Sequence, residues 1–252
     1  MDVDEQAAYR EADILKSSGG RCEAVGVDVT DSAAVTTAVQ RVITLHGRLD
    51  YMINNAGINI VGDFRDLDDE AWRRIVAVNL WGVVYGTRAA YEVMLSQGFG
   101  HIVNISSGLG LTPGPGNVPY ATTKSAIVGF SESLRIEARD LGIHVTVVCP
   151  GWIRTPMLEG HSVVARQTLH RTRSGSALQI IDAATNGMPF GLHDVERAAW
   201  TILHGVARGK AMVVFPAYVR YFWWLYRLCR PASDWWNRRE IRRFRELVGY
   251  VE

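Results

Sequence analysis

Ser107, Tyr120 and Lys124 are the residues of this sequence whose types and spacing suit proton chemistry. Tyr120 and Lys124 stand at i and i+4 in "PYATTKSA" (119–126), so on a helix they share a face. A free phenol is a poor acid, with a pKa near ~10. A neighbouring ammonium favours the phenolate and lowers that value. A phenol tuned in this way can give and take a proton near neutral pH. The plain alternative is a surface Tyr and Lys that are merely neighbours, because i, i+4 pairs are common. A further hydroxyl, Ser107 in "NISSG" (104–108), precedes Tyr120 by 13 residues.

Such side chains converge only if the elements carrying them end at one place. "EAVGVDV" (23–29), "LDYMIN" (49–54), "HIVNIS" (101–106), "IHVTVVCP" (143–150) and "AMVVFP" (211–216) read as strands. Helical spacing fills the intervals at 32–47, at 68–97 as two helices, at 119–140 and at 198–207. Asp31 or Ser32 can cap the first of these and Gly47 can stop it; Pro119 can begin the helix that carries Tyr120. Apolar strands alternating with helices predict an α/β fold, a doubly wound parallel sheet covered on both faces. Sheets of this kind bind ligands at the carboxyl ends of their strands. Those ends carry "DVTD" (28–31), "NNAG" (54–57), "NISSG" and "PGWIRTP" (150–156). Small residues such as Ala56 and Gly57 let a flat ligand approach the backbone. Each motif alone is also an ordinary turn or cap.

The chain has 252 residues, 48% apolar and 21% charged, with a net charge of +1. The whole molecule therefore carries no nucleic-acid signature. Cys22, Cys149 and Cys229 are few, odd in number and far apart, against a disulfide framework or a zinc site. The polar opening "MDVDEQAAYREAD" reads as no secretory leader, and no apolar run reaches membrane-span length, so a cytoplasmic location is expected.

In their order and spacing, "NNAG", Ser107, Tyr120 and Lys124 resemble the short-chain dehydrogenase/reductase family, over about Asp2 to Phe215. The resemblance implies an oxidoreductase that interconverts an alcohol and a carbonyl with a nicotinamide cofactor. Tyr120 would be the acid/base. Lys124 would lower its pKa and hold the nicotinamide ribose. Ser107, rather than Ser106, would bond the reacting oxygen. Asn79, in "VAVNLWGVVYGT", would kink its helix and support a water-linked proton relay. Asn55, Ala56 and Gly57 would flank the adenosine side, with Asp28 and Val29 on the adenine. Pro150, Gly151, Ile153 and Thr155 would surround the nicotinamide. Asp2 falls where the family often binds the adenosine ribose, favouring NAD while NADP is not excluded. The likeness also implies a homodimer or homotetramer.

The family's glycine-rich turn, T-G-x-x-x-G-x-G, does not occur. "SSGGRC" (17–22) precedes a strand and reads as a loop. By this alignment the fold is N-terminally truncated, and a complete member would start upstream of Met1. A non-catalytic scaffold that has lost dinucleotide binding is the alternative.

Residues 1–216 are expected to form the dehydrogenase domain, with a lid at about 152–192. The apolar lid residues Met157, Leu158, Val163, Val164, Leu169, Leu178, Ile180 and Ile181 suggest a hydrophobic alcohol or ketone, or simply packing of the lid. Residues 217–252 read as a helical tail. Ten basic and two acidic residues lie between Arg208 and Arg245, so this stretch carries +8 and the remainder −7. In "YVRYFWWLYRLCRP" (218–231) the arginines form a narrow stripe among aromatics; Pro231 is expected to stop this helix and Ser233 to cap a second, with Ile241, Phe244 and Val248 in line. The pattern suits a peripheral membrane contact through residues 218–248, or packing on the domain or on a partner subunit.

Overall fold

The structure, a computed structural model, describes residues 1–155, 157, 163–165 and 191–250. Four parallel strands form its sheet in the order β1 (Tyr51–Asn54), β3 (Gly100–Ile105), β4 (Ile143–Pro150) and β6 (Met212–Phe215). Tyr51 pairs with His101, Gly100 with Ile143 and Val147 with Met212. The central strands are apolar on both faces, and Ile102, Val103, Val147 and Val148 are wholly buried. Burying each such side chain contributes roughly 1.5–3 kcal/mol.

Alternation of side chains sorts the helices. Ile102 and Val145 pack with Val35 and Val39 of α2 (Ser32–His46) and with Ala90 and Met94 of α4 (Gly82–Gln97). Val147 and Cys149 meet Ile127 of α5 (Val118–Ala138). On the other face, Val103 and Val148 meet Ala198 and Val206 of α6 (Val195–Ala207). The expected α/β sandwich is thus present, with helices on both sides of a parallel sheet.

Several elements differ from the sequence reading. Residues 23–29 are extended but pair only through one bridge, between Asp2 and Gly26. Asp2 donates its N–H to Val25 and accepts from Val27; with a single residue alongside, a ladder cannot grow. Glu5–Ser17 form an unanticipated helix, α1, capped by Asp4. Its signal was the capping aspartate ahead of a run of good helix formers. The 68–97 stretch is one helical run: α3 (Asp69–Val76) passes through a π-turn at Ala77–Trp81 into α4. Two-residue strands β2 (Ile60–Val61) and β5 (Val163–Val164) pair in a small second sheet.

The tail forms α7 (Ala217–Leu228) and α8 (Arg230–Leu247). The break falls at Cys229, not at Pro231. Pro231 begins the second helix, where a missing N–H costs nothing. Ser233 lies inside that helix, buried, and does not cap it. Most of the expected lid, including Leu158, Leu169, Leu178, Ile180 and Ile181, lies outside the described residues.

Candidate active site

The strand ends open onto one large cleft of about 1790 Å³. β3 delivers Ser106 and Ser107 to its wall, and the two neighbours part in role. Ser106 is buried and donates to the Lys124 carbonyl at 2.7 Å, tying α5 to the end of β3. The Ser107 hydroxyl lies on the cleft, accepts from the Leu109 N–H at 3.2 Å and hydrogen-bonds the Tyr120 phenol. Ser107, singled out over Ser106 by the resemblance for the reacting oxygen, is the serine that bonds the phenol.

Tyr120 and Lys124 share one face of α5, as their spacing requires, with the ammonium 5.4 Å from the centre of the phenol ring. The expected lowering of the phenol is absent. Burial pushes Tyr120 up to about 12, opposed only by the Ser107 hydrogen bond. The reason lies in where the ammonium points. Lys124 Nζ donates to the Ile105 carbonyl at 2.9 Å, and burial brings its own pKa down to about 8. Desolvation is the first cause for both groups in this arrangement.

Asn79 is fully buried in the π-turn. Its Oδ1 accepts from the Ile58 N–H at 2.8 Å, while Nδ2 donates to the Ile58 carbonyl at 2.9 Å and to Thr123 at 3.2 Å. It therefore does not reach the cleft, but fixes the turn that follows Asn55, Ala56 and Gly57. A Cβ at Gly57 would lie 3.4 Å from Asn79 Oδ1 and 3.5 Å from Lys124 Nζ. The bare backbone is what keeps the space beside the ammonium open.

The remaining predicted residues also line the cleft. Pro150, Gly151, Ile153 and Thr155 do so at the end of β4; Asp2, Asp28 and Val29 do so at the opposite end. Asp28 doubles as a turn residue, accepting from the Thr30 N–H at 2.9 Å and its hydroxyl at 2.8 Å. The Asp2 carboxylate accepts from the Asp4 N–H at 3.0 Å.

Several residues at the site were missed in the sequence. A buried polar chain holds the strand ends in register: Asn54 donates to Asn104 at 2.8 Å and to Thr87 at 3.1 Å, and Asn104 donates to Ser131 at 2.9 Å. A Cβ at Gly86 would come within 2.1 Å of Asn54 Oδ1, so only glycine lets α4 lie against this chain. The tail supplies the outer wall. Tyr218 of α7 accepts from the Trp152 N–H at 2.7 Å, and its oxygen would lie 2.3 Å from a Cβ at Gly151. Phe222, Trp236 and Phe244 line the same wall. Helix α8 is held there by Arg245, whose Nε donates to the buried Asp63 at 2.8 Å, and by Tyr250, whose hydroxyl donates to Asp66. Arg65 also bonds Asp63, and the Asp63 carboxyl lies well below the ordinary carboxylate range, first through Arg65 and then, against the cost of burial, through Arg245.

A family model described as short chain dehydrogenase matches residues 1–163. The oxidoreductase UcpA of Escherichia coli (strain K12) is 41% identical over 158 residues, 62% of this chain and 59% of UcpA. The matched part thus spans less than two thirds of that relative. SadH of Mycobacterium tuberculosis (strain ATCC 25618 / H37Rv) is 35% identical over 216 residues, 84% of this chain and 74% of SadH. A solved structure, a short chain dehydrogenase/reductase from Burkholderia phymatum in complex with NAD, aligns over 92% of this chain and 84% of its own. Its TM-score is 0.78 at 23% identity, a likeness of fold.

Proposed function

The chain belongs to the short-chain dehydrogenase/reductase family, and on that premise we propose that it interconverts an alcohol and a carbonyl with a nicotinamide dinucleotide. The observation that carries the reading is the meeting of Ser107, Tyr120 and Lys124 on one cleft. When bound, the nicotinamide supplies or accepts the hydride. The residues present fit its two ends. Lys124 has one hydrogen bond among the described residues, to Ile105, leaving ammonium protons for ribose hydroxyls beside Gly57. Asp2 and Asp28 offer carboxylates at the far end, which suits the hydroxyls of NAD and opposes the extra phosphate of NADP.

The protein's own groups divide the work. Ser107 and Tyr120 hold the reacting oxygen between two hydroxyls, and such positioning is a large part of the rate. In the reductive direction the protonated Tyr120 donates to that oxygen. In the oxidative direction it must first lose its proton, and an ammonium turned from Ile105 toward the phenol would stabilise the phenolate. Asn79 acts as a positioning residue for the turn after β1, with its amide committed to Ile58 and Thr123. The apolar outer wall of Trp152, Phe222, Trp236 and Phe244 favours a hydrophobic alcohol or ketone. By likeness to the family, α4 and α5 pair two copies; half-exposed Trp81, stacked on Tyr85, lies at the start of that surface. Sedimentation as a monomer at micromolar concentration would reject the pairing.

A scaffold that keeps the fold without holding a dinucleotide is the second reading. Titration with NADH, followed by fluorescence, separates the two. We expect binding by the protein and by Tyr120→Phe alike, with turnover of a hydrophobic ketone falling at least ~10²–10⁴-fold in the variant. Absence of NADH binding supports the scaffold; near-normal turnover by folded Tyr120→Phe removes the tyrosine from the chemistry.

A further inference from the structure

Helices α7 and α8 have two unlike faces. The inner face, with Tyr218, Phe222, Trp236 and Phe244, lines the cleft. The outer face leaves four large side chains in solvent: Tyr221 is 64% exposed, Trp224 56%, Leu228 78% and Trp235 62%. Exposed arginines that do not line the cleft stand on the same two helices, Arg220, Arg227, Arg238, Arg239 and Arg242 among them. The exposed carboxylates of the two helices are only Asp234 and Glu246. The aromatic content of the tail is therefore not consumed by packing on its own domain. Some guanidiniums also lie over rings, Arg230 at 4.1 Å from the centre of Tyr226 and Arg239 at 5.9 Å from that of Trp235. A guanidinium stacked in this way still presents its N–H edge to a phosphate oxygen.

We propose that this outer face docks on a bilayer surface containing anionic lipid, with Tyr221, Trp224, Leu228 and Trp235 entering the headgroup region and the arginines meeting lipid phosphates. Charge selects this occupant over a second copy of the chain. A two-fold contact would set the same arginines against each other. The apolar set selects it over a nucleic acid, because Leu228, the most exposed of the four, has no ring to stack on a base. Trp and Tyr at a boundary between apolar and polar media are what an interfacial helix uses. No helix among the described residues is long and apolar enough to cross a membrane. The inference is independent of the reaction, since none of Arg227, Arg238, Trp224 and Trp235 lines the cleft.

Co-sedimentation of the full chain with vesicles tests it. Phosphatidylcholine vesicles are compared with vesicles containing phosphatidylserine, at low and high salt. Binding should require phosphatidylserine and weaken with salt. At about five-fold per basic residue, Arg227→Glu with Arg238→Glu should weaken partition by about 25-fold or more. Trp224→Ala with Trp235→Ala should also reduce it, while both variants keep the melting temperature of the wild type. A failure of the wild type to sediment with anionic vesicles overturns the proposal. So does recovery that the tryptophan variant leaves unchanged, or that a single-stranded oligonucleotide abolishes while itself binding the tryptophan variant as tightly as the wild type.

Discussion

Replacing Arg245 by Met should loosen the outer wall of the cleft by a calculable amount. Asp63 is 2% exposed and accepts from Arg245 Nε at 2.8 Å and from Arg65 Nε at 2.9 Å. A hydrogen bond to a charged group is worth about 1.5–3 kcal/mol. The Arg245 side chain is 34% exposed, so water screens part of this and the lower end applies, about 1.5 kcal/mol. Arg65 still satisfies Asp63 in this variant. Asp63→Ala strips both guanidiniums of their counter-charge. Breaking a buried pair costs about 3–5 kcal/mol, but Arg65 is 56% exposed and can hydrate, so about 3 kcal/mol is expected. For a chain of this size each kcal/mol moves Tm by roughly 2–4 °C. If only the tail opens, its opening constant rises about ten-fold for Arg245→Met, which limited proteolysis of α8 reads directly. The pH dependence has a definite sign. Because the Asp63 carboxyl is depressed in the fold, its stabilisation is whole above the unfolded value near ~3.9 and is lost as pH falls toward the folded one. The gap between wild type and Arg245→Met should thus be flat from about pH 5 to 8 and shrink only in acid. A gap that titrates near neutrality, or an Asp63→Ala cost no larger than that of Arg245→Met, would refute the assignment.

The adjacent serines should separate cleanly. Ser107→Ala should cut turnover with little change in Tm, whereas Ser106→Ala should cost about 1 kcal/mol of stability by removing the hydroxyl that ties the end of β3 to the Lys124 carbonyl; thermal melts beside steady-state rates read both. Lys124 titrates at about 8 in the fold against an ordinary 10.5, so between those values the unfolded chain binds the extra proton and stability rises with pH. Urea titrations at several pH values should show that rise in the wild type and not in Lys124→Met. Gly86→Ala should destabilise by roughly 1–3 kcal/mol or more, because its Cβ would press on Asn54 Oδ1; an unchanged denaturation midpoint would contradict the placement of α4.

What was legible in the sequence follows from which forces are local. Asp31 and Gly47 mark the ends of α2 by capping chemistry that acts within a turn. The valine-rich run of β4 announces a strand covered on both faces. Ser107 before Tyr120, with Lys124 one turn on, is a local pattern, and the three residues line one cleft. Two kinds of feature escaped. Pairing is a property of two segments, so the apolar run at 23–29 forms no ladder where only Asp2 lies beside it. Inward and outward faces are likewise invisible when nearly every residue is aromatic or basic: nothing local tells that Phe222 faces the cleft and Tyr221 the solvent. The phenol's ionisation failed for a related reason. Spacing gives proximity to Lys124, but neither the burial that keeps the phenol neutral nor the Ile105 carbonyl that accepts the ammonium's hydrogen bond.

The latch between α8 and the segment after β2 joins residues far apart in synthesis. Arg245 and Asp63 are 182 positions apart, and Tyr250 and Asp66 are 184. At roughly 5–20 residues per second, translation separates the emergence of these partners by about 9–37 seconds. During that interval the end of β3 and helix α5, which carry Ser107, Tyr120 and Lys124, can form, while the cleft still lacks the wall made by Phe222, Trp236 and Phe244. The nascent protein therefore passes through a stage with its reactive groups assembled and its apolar cleft open on one side. A chain ending before Arg245 would carry the wall residues but not the bonds to Asp63 and Asp66 that hold them in place.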